Sequence, residues 1–230
     1  MNSPPVRSPA HDRTAVGVIG GAGAAFLLLA LAVIGHAGPL LHADTAISEG
    51  ARHLALAHPA WRATMAAVTV TGSTVVIAPL TAVGCLALLL VRRVRAACFV
   101  AAAMLATLGA RLLVVNGIAR PRPVDRLGAA SGWSFPSGHS TAAAAAALIA
   151  VVVGWPMARS RRARTVLVAV AAGWAVAVGA SRIALVVHWP SDVLGAWLLV
   201  LTVVPAVALA LRSLPRRVPA DADADADERI

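Results

Sequence analysis

Residues 134–154 read SFPSGHSTAAAAAALIAVVVG, a short polar segment followed directly by a long apolar run. Pro136 suits the first turn of a helix. The run that follows is alanine-rich and uninterrupted as far as residue 157. The stretch therefore predicts an apolar helix over 136–157 with polar residues gathered at its start.

That helix start has the chemistry of an anion site. The first N–H groups of a helix have no intrahelical partner and carry partial positive charge. Gly138 lets the backbone approach a ligand closely, Ser137 adds a hydroxyl, and His139 can exchange a proton near neutral pH. A plain helix cap with an incidental histidine explains this segment equally well when it is taken alone.

The whole chain is rich in apolar residues. Of 230 residues, 59% are hydrophobic and 13% are charged, which is too apolar for an ordinary soluble domain. Six apolar runs are long enough to cross a bilayer. They lie at about 14–35, 64–91, 96–116, 136–157, 165–187 and 191–211. The predicted fold is an all-α, polytopic membrane protein with six transmembrane helices.

Charge placement predicts the orientation. Arginines cluster in the N-terminal segment, at 92–95, at 159–164 and at 212–217, all on one side in a six-span count. By the positive-inside rule that side is the cytoplasm, so both termini are expected there. The segments 1–13 and 212–230 are expected to be disordered cytoplasmic tails. The net charge of +10 is thereby explained by topology, and a nucleic-acid partner is not expected.

The segment 36–62 interrupts the apolar pattern between the first two spans. Asp44 is predicted to cap a helix on which Ile47, Ala51 and Leu54 share a face, giving an amphipathic helix at the membrane surface. Its histidines lack the spacing of a helical ligand pair and have no accompanying cysteine, so no metal site is expected.

Two further polar clusters flank apolar runs. One is Arg120-Pro121-Arg122-Pro123, in which arginine offers a planar fork suited to phosphate oxygens and proline stiffens the loop. The other is Ser181-Arg182 followed by His188 and Asp192. If the chain stays nearly helical through Pro190, Ser181 shares a face with His188, and Asp192 can orient the imidazole and stabilise its charged form.

The predicted topology brings the three clusters to one membrane surface. Spans four and six begin at the outer face and span five ends there, so the loop 117–135, the helix start at 136–139 and the turn at 188–191 are expected together. Ionisable groups at span ends are costly and mark functional sites by default. A transporter would instead be expected to carry them at mid-bilayer.

The motifs resemble the type 2 phosphatidic acid phosphatase superfamily of lipid phosphatases and haloperoxidase-like acid phosphatases. The second and third family motifs match fully, as Pro136-Ser137-Gly138-His139 and as Ser181-Arg182 with the following histidine and aspartate at the family spacing. The similarity covers about 44–211, and residues 36–211 are expected to form the catalytic domain. The resemblance implies an enzyme that hydrolyses a lipid phosphate or pyrophosphate without metal or other cofactor.

The resemblance also implies a role for each matching residue. His188 attacks phosphorus and becomes a phosphohistidine, Asp192 orients it, and His139 protonates the leaving group. The expected phosphate-binding residues are Arg122, Ser137, Gly138 and Arg182. The partners implied are a membrane lipid phosphate and the bilayer of the cell membrane, with the site facing outward.

One position departs from the family pattern. The family has lysine seven residues before the Arg-Pro pair, where this chain has Val115. Arg111 lies one helical turn earlier on the same face and is predicted to supply part of the missing charge. Two alternatives to simple hydrolysis stay open. A phosphohistidine can pass its phosphoryl group to an acceptor other than water, which would make the protein a phosphotransferase. The Val115 departure keeps open a degenerate, non-catalytic protein that binds lipid headgroups.

Overall fold

A computed structural model describes residues 9–213, and its regular elements are eight α-helices. In chain order they are α1 (Pro9–Ile34), α2 (Gly38–Ala57), α3 (Pro59–Thr71), α4 (Thr74–Leu90), α5 (Val94–Ile118), α6 (Gly138–Gly154), α7 (Arg161–Ala184) and α8 (Pro190–Ser213). The predicted all-helical membrane fold is confirmed. Of the predicted tails, 1–8 and 214–230 lie outside the described residues, and α1 already begins at Pro9.

Five stretches in the described part of the chain are long and apolar enough to cross a membrane. They are α1, the combined α3–α4 stretch, α5, α7 and α8, and each matches a predicted span. The remaining predicted span corresponds to α6, which has only 17 residues, whereas a spanning helix needs roughly 20. The predicted count of six spans is therefore not confirmed, because the fourth is a short helix packed among its neighbours.

The interior is built around α6. This helix packs against α5, α7 and α8, and every residue from Ser140 to Ala145 is buried. Its alanine side chains are short, so the surrounding helices can approach its backbone closely. Phe135, fully buried just before α6, stacks on Phe26 of α1 with ring centroids 5.9 Å apart. A side chain at Gly195 of α8 would meet the Phe135 ring at 2.5 Å, so glycine is required there.

The segment after α1 is helical as predicted, but the predicted cap is wrong. α2 begins at Gly38, with a proline in its first turn, and Asp44 lies inside it. Asp44 is buried against the protein, whereas Ile47 and Leu54 of the predicted apolar face are about half exposed. The helix thus buries Asp44 against the protein and leaves Ile47 and Leu54 of the predicted apolar face free to contact a membrane surface.

Candidate active site

The start of α6 is locked to the start of α8. Ser137 is the N-cap of α6, and its fully buried Oγ accepts from the Ser140 hydroxyl at 3.0 Å. The backbone N–H of Ser137 donates to the carbonyl oxygen of Asp192 at 3.0 Å. The second and third sequence motifs are therefore in direct contact, although Ser137 and Asp192 are 55 residues apart along the chain.

The turn between α7 and α8 carries His188. The predicted near-helical path through this turn is wrong: α7 ends at Ala184, Val186 has a left-handed φ of 52°, and α8 starts at Pro190. His188 lies in neither helix, so Ser181 of α7 does not share a helix face with it, and the buried Ser181 hydroxyl donates to the carbonyl of Val178 within α7. A β-branched residue in the left-handed region is strained, which is common at functional sites.

Asp192 nevertheless reaches the imidazole. Its Oδ2 lies 3.2 Å from His188 Nδ1 and accepts the backbone N–H of Trp189 at 2.9 Å. On the other side of the ring, Arg122 Nη1 lies 2.8 Å from His188 Nε2. Arginine has no acceptor, so Nε2 must accept, and Nδ1 carries the hydrogen that is donated to Asp192. The ring is thus held in the tautomer that keeps its lone pair on Nε2.

Burial keeps this imidazole uncharged. His188 is only 1% exposed, and its burial lowers its pKa to about 4, despite the opposing hydrogen bond and charge of Asp192. At neutral pH the ring is neutral, with a nucleophilic nitrogen available.

Arg122 uses all five of its N–H groups inside the protein. Three go to the loop carbonyls of Gly132 at 2.9 Å and of Ser131 and Trp133 at 3.0 Å. The other two go to the carbonyl of Val187 at 2.8 Å and to His188 Nε2. Arg122 therefore holds the loop and orients the His188 imidazole, and the Nη1 hydrogen that it donates to Nε2 is the one that a phosphoryl oxygen arriving there would accept instead.

Arg182 lies beside a cavity of about 380 Å³. Its Nη1 donates to Thr69 Oγ1 of α3 at 2.7 Å, and its buried Nε has no partner among the described residues. Buried arginine donors are costly to leave unpaired. The cavity is also lined by Arg62 of α3 and by the loop around Gly128.

Arg111 reaches the α6 start from α5. Its Nε donates to the carbonyl of Pro136 at 3.3 Å, and its guanidinium carbon lies 3.2 Å from where a side-chain carbon at Gly138 would be. Val115, at the family lysine position, is buried in α5. The guanidinium of Arg111 thus lies at the predicted anion site, which is the position that its predicted role requires.

His139 completes the group at the first turn of α6. It is half-buried and within electrostatic reach of Arg182, His188, Arg122 and Arg111. Every predicted site residue therefore belongs to one region of the fold. No group of three or more His, Cys, Asp or Glu side chains within residues 9–213 is arranged to hold a metal.

Comparison with known proteins identifies the family of this chain. The model of the PAP2 superfamily matches residues 96–214, which is more than half of the chain and includes all of the predicted site residues. The chain belongs to the PAP2 superfamily. This is the type 2 phosphatidic acid phosphatase family that the motifs resemble, so that prediction is confirmed.

Individual relatives are similar over different lengths. Phosphatidylglycerophosphatase B of Escherichia coli K12 and that of Shigella flexneri are each 44% identical over 69 residues, which is 30% of this chain but only 25% of those proteins. The crystal structure of a transmembrane PAP2 type phosphatidylglycerolphosphate phosphatase from Bacillus subtilis superimposes with a TM-score of 0.75 at 27% identity. That match covers 86% of this chain and 98% of the Bacillus protein.

Sequence reasoning missed two residues of this PAP2 site. Arg120 belongs to the same Arg-Pro cluster as Arg122 but is not among the predicted phosphate-binding residues, and it is buried between Asp44 and Asp192 and bonds to both carboxylates. Asp44 was assigned to a helix cap. An acidic residue in an otherwise weakly charged segment was the available signal, but the sequence does not show which cation it meets.

Proposed function

We propose that this protein is an integral membrane phosphatase that hydrolyses a lipid phosphate or lipid pyrophosphate through a phosphohistidine. The observation that carries the proposal is the His188–Asp192 pair, in which a buried, neutral imidazole keeps its Nε2 lone pair beside the Arg122 guanidinium. A merely structural histidine needs neither a carboxylate on one nitrogen nor a cation on the other.

The first step of the proposed reaction forms a bond from His188 Nε2 to phosphorus and breaks the bond from phosphorus to the ester oxygen. His139 gives a proton to that leaving oxygen, and Asp192 stabilises the positive charge that develops on the imidazole. In the second step His139 takes a proton from water, the water oxygen bonds to phosphorus, and the Nε2–phosphorus bond breaks to release inorganic phosphate.

Charge on the phosphoryl group is stabilised by cations and helix N–H groups. Arg122, Arg182 and Arg111 converge on the start of α6, where the backbone N–H of Gly138 and the Ser137 hydroxyl are assigned to the phosphoryl oxygens. These donors perform the electrostatic work, so the proposed reaction uses no metal or other cofactor.

Phosphatidylglycerophosphate is the first substrate to test, because the relatives from Escherichia coli, Shigella flexneri and Bacillus subtilis are named for it. The cavity beside Arg182 supports a substrate with a polar group next to its phosphate, since Arg62 and Thr69 line it. Phosphatidic acid and isoprenoid pyrophosphates are the alternative substrates.

The proposed location is the cell membrane, with both termini in the cytoplasm and the site facing outward. The arginines at 92–95 and 159–164 support this orientation, because they lie at the opposite helix ends from the site. Residues 36–211 would form the catalytic domain after a first membrane helix, with short tails at either end.

The testing experiment is phosphate release by the purified protein in detergent, with EDTA present and the lipids above as substrates. His188→Ala removes the nucleophile, and His42→Ala on the exposed side of α2 is the matched control. Release that survives EDTA and His42→Ala but is lost in His188→Ala is expected, together with an acid-labile phosphoenzyme. A folded protein that binds these lipids without releasing phosphate would refute hydrolysis and indicate a non-catalytic headgroup-binding protein. Release only with an added alcohol acceptor would indicate a phosphotransferase.

A further inference from the structure

Asp192 is held on both of its oxygens by different partners. Oδ2 faces the His188 imidazole, whereas Oδ1 accepts from Arg120 Nη1 at 2.8 Å and lies 3.5 Å from the Ser134 hydroxyl. Asp192 is fully buried, so both contacts are made away from water. The direction in which this carboxylate presents Oδ2 to the imidazole therefore depends on Arg120.

Arg120 is itself held by a second carboxylate. Its Nη2 donates to Asp44 Oδ2 at 2.7 Å, and its Nη1 also donates to Ser191 Oγ at 2.6 Å. The guanidinium lies over the Trp189 ring, 5.5 Å from the ring centre, and Arg120 is only 7% exposed. A buried cation needs such partners, because an unpaired charge in the interior is very costly.

Asp44 also holds the first turn of α8 directly. Its Oδ1 accepts the backbone N–H of Ser191 at 2.9 Å, and its Oδ2 accepts the Ser191 hydroxyl at 2.5 Å. A carboxylate at a helix N-terminus satisfies free N–H groups and complements the helix dipole. One side chain from α2 thus fixes both the cation behind Asp192 and the helix turn that bears it.

We infer that Asp44 is a positioning residue for the nucleophile, acting on His188 through Arg120 and Asp192. The inference rests on the proposed function and extends it to a residue outside the range of the family match. Two carboxylates and one guanidinium leave one net negative charge behind the imidazole. That charge balances the positive ring that forms when Nε2 bonds to phosphorus; without Asp44, Arg120 alone neutralises Asp192.

The contacts define a kinetic signature for Asp44. Within the described residues its side-chain hydrogen bonds go to Ser191 and Arg120 rather than to the residues assigned to the phosphate. Asp44→Asn removes the charge and keeps the size, so phosphoenzyme formation and kcat should fall about 10- to 100-fold while KM changes little. Glu49→Gln is the matched control, because Glu49 lies on the same helix but is exposed.

The experiment measures steady-state kinetics and rapid-quench phosphoenzyme formation for the wild type, Asp44→Asn and Glu49→Gln, with rates normalised to folded protein. An Asp44→Asn enzyme with wild-type kcat would overturn the inference while leaving the phosphatase proposal intact. A rise in KM alone would also overturn it. A wild-type protein with no phosphatase activity would remove both proposals.

The double variant Asp44→Asn/Arg120→Gln tests the route of the effect. If Asp44 acts through Arg120, the double variant is no slower than the slower single variant, because both changes break the same connection. Rate losses that multiply would show that Asp44 acts independently of Arg120, contrary to the inference.

Discussion

Replacing Arg122 with lysine tests whether this residue acts through its hydrogen-bond geometry or only through its charge. The guanidinium satisfies five acceptors at 2.8–3.0 Å, spread over the loop 131–133, Val187 and His188. An ammonium group has three hydrogens on a single nitrogen, so at least two of these bonds must be lost.

The expected loss follows from those two bonds. A hydrogen bond from a charged donor contributes about 1.5–3 kcal/mol, and the lower value applies here because Arg122 is half-buried and water can reach part of the loop. Two bonds give about 3 kcal/mol, equivalent to roughly a 100-fold rate change. Part of the lost free energy will increase the mobility of the loop without slowing turnover, so we expect kcat/KM to fall about 10- to 100-fold.

The assay is phosphate release from the preferred lipid at several substrate concentrations, with thermal unfolding measured in parallel. Arg126→Lys is the control, since Arg126 lies in the same loop and, within the described residues, its side chain makes one hydrogen bond, to the carbonyl of Ala130 at 3.1 Å. Arg126→Lys should be indistinguishable from the wild type. If a folded Arg122→Lys protein kept kcat/KM within about threefold of the wild type, a loss under about 1 kcal/mol, Arg122 would act through its charge and not through its five hydrogen bonds.

Three further predictions concern Arg111, His188 and the packing at Gly195. Arg111→Ala should raise KM about tenfold, because the guanidinium at the start of α6 is lost, and unchanged kinetics would mean that Arg111 does not replace the family lysine. Burial lowers the pKa of His188 to about 4, so its imidazole stays neutral as the pH falls to that value. After correction for substrate ionisation, we therefore expect kcat/KM to show no acid limb near pH 6.5. An acid limb near pH 6.5 would contradict the assignment of His188 as the nucleophile. Gly195→Ala should destabilise the fold by about 1–3 kcal/mol and lower Tm, because the added methyl group would collide with the Phe135 ring. Gly173→Ala is the control, since Gly173 has open space around it and its replacement should leave Tm unchanged. Equal Tm values for the two variants would show that packing around Gly195 is loose.

The helices and the gathering of the motifs were predictable because both depend on local information. Apolar runs of bilayer length define α1, α5, α7 and α8, since a lipid environment demands internally bonded helices. Counting spans then places the three motifs at one end of the bundle. The position of Arg111 was predictable for the same reason, because residues four apart on a helix share a face.

The turn holding His188 was harder to predict. Sequence spacing suggested a nearly continuous helix, but the chain leaves α7 at Ala184 and passes through a left-handed Val186 before α8 begins. The His188–Asp192 contact survives because both residues flank the start of α8, which the Ser137 N–H and Asp44 fix from outside.

The sequence by itself determined the helices, the membrane class and the motif residues, because each follows from composition or short spacing. Only the tertiary structure decided which partners each of the two arginines of one motif binds. Arg120 turns inward to two carboxylates and Arg122 turns to His188, although they stand two residues apart with the same flanking proline. Their side-chain partners lie at residues 44 and 188–192, and which guanidinium meets which of these side chains depends on how distant helices pack.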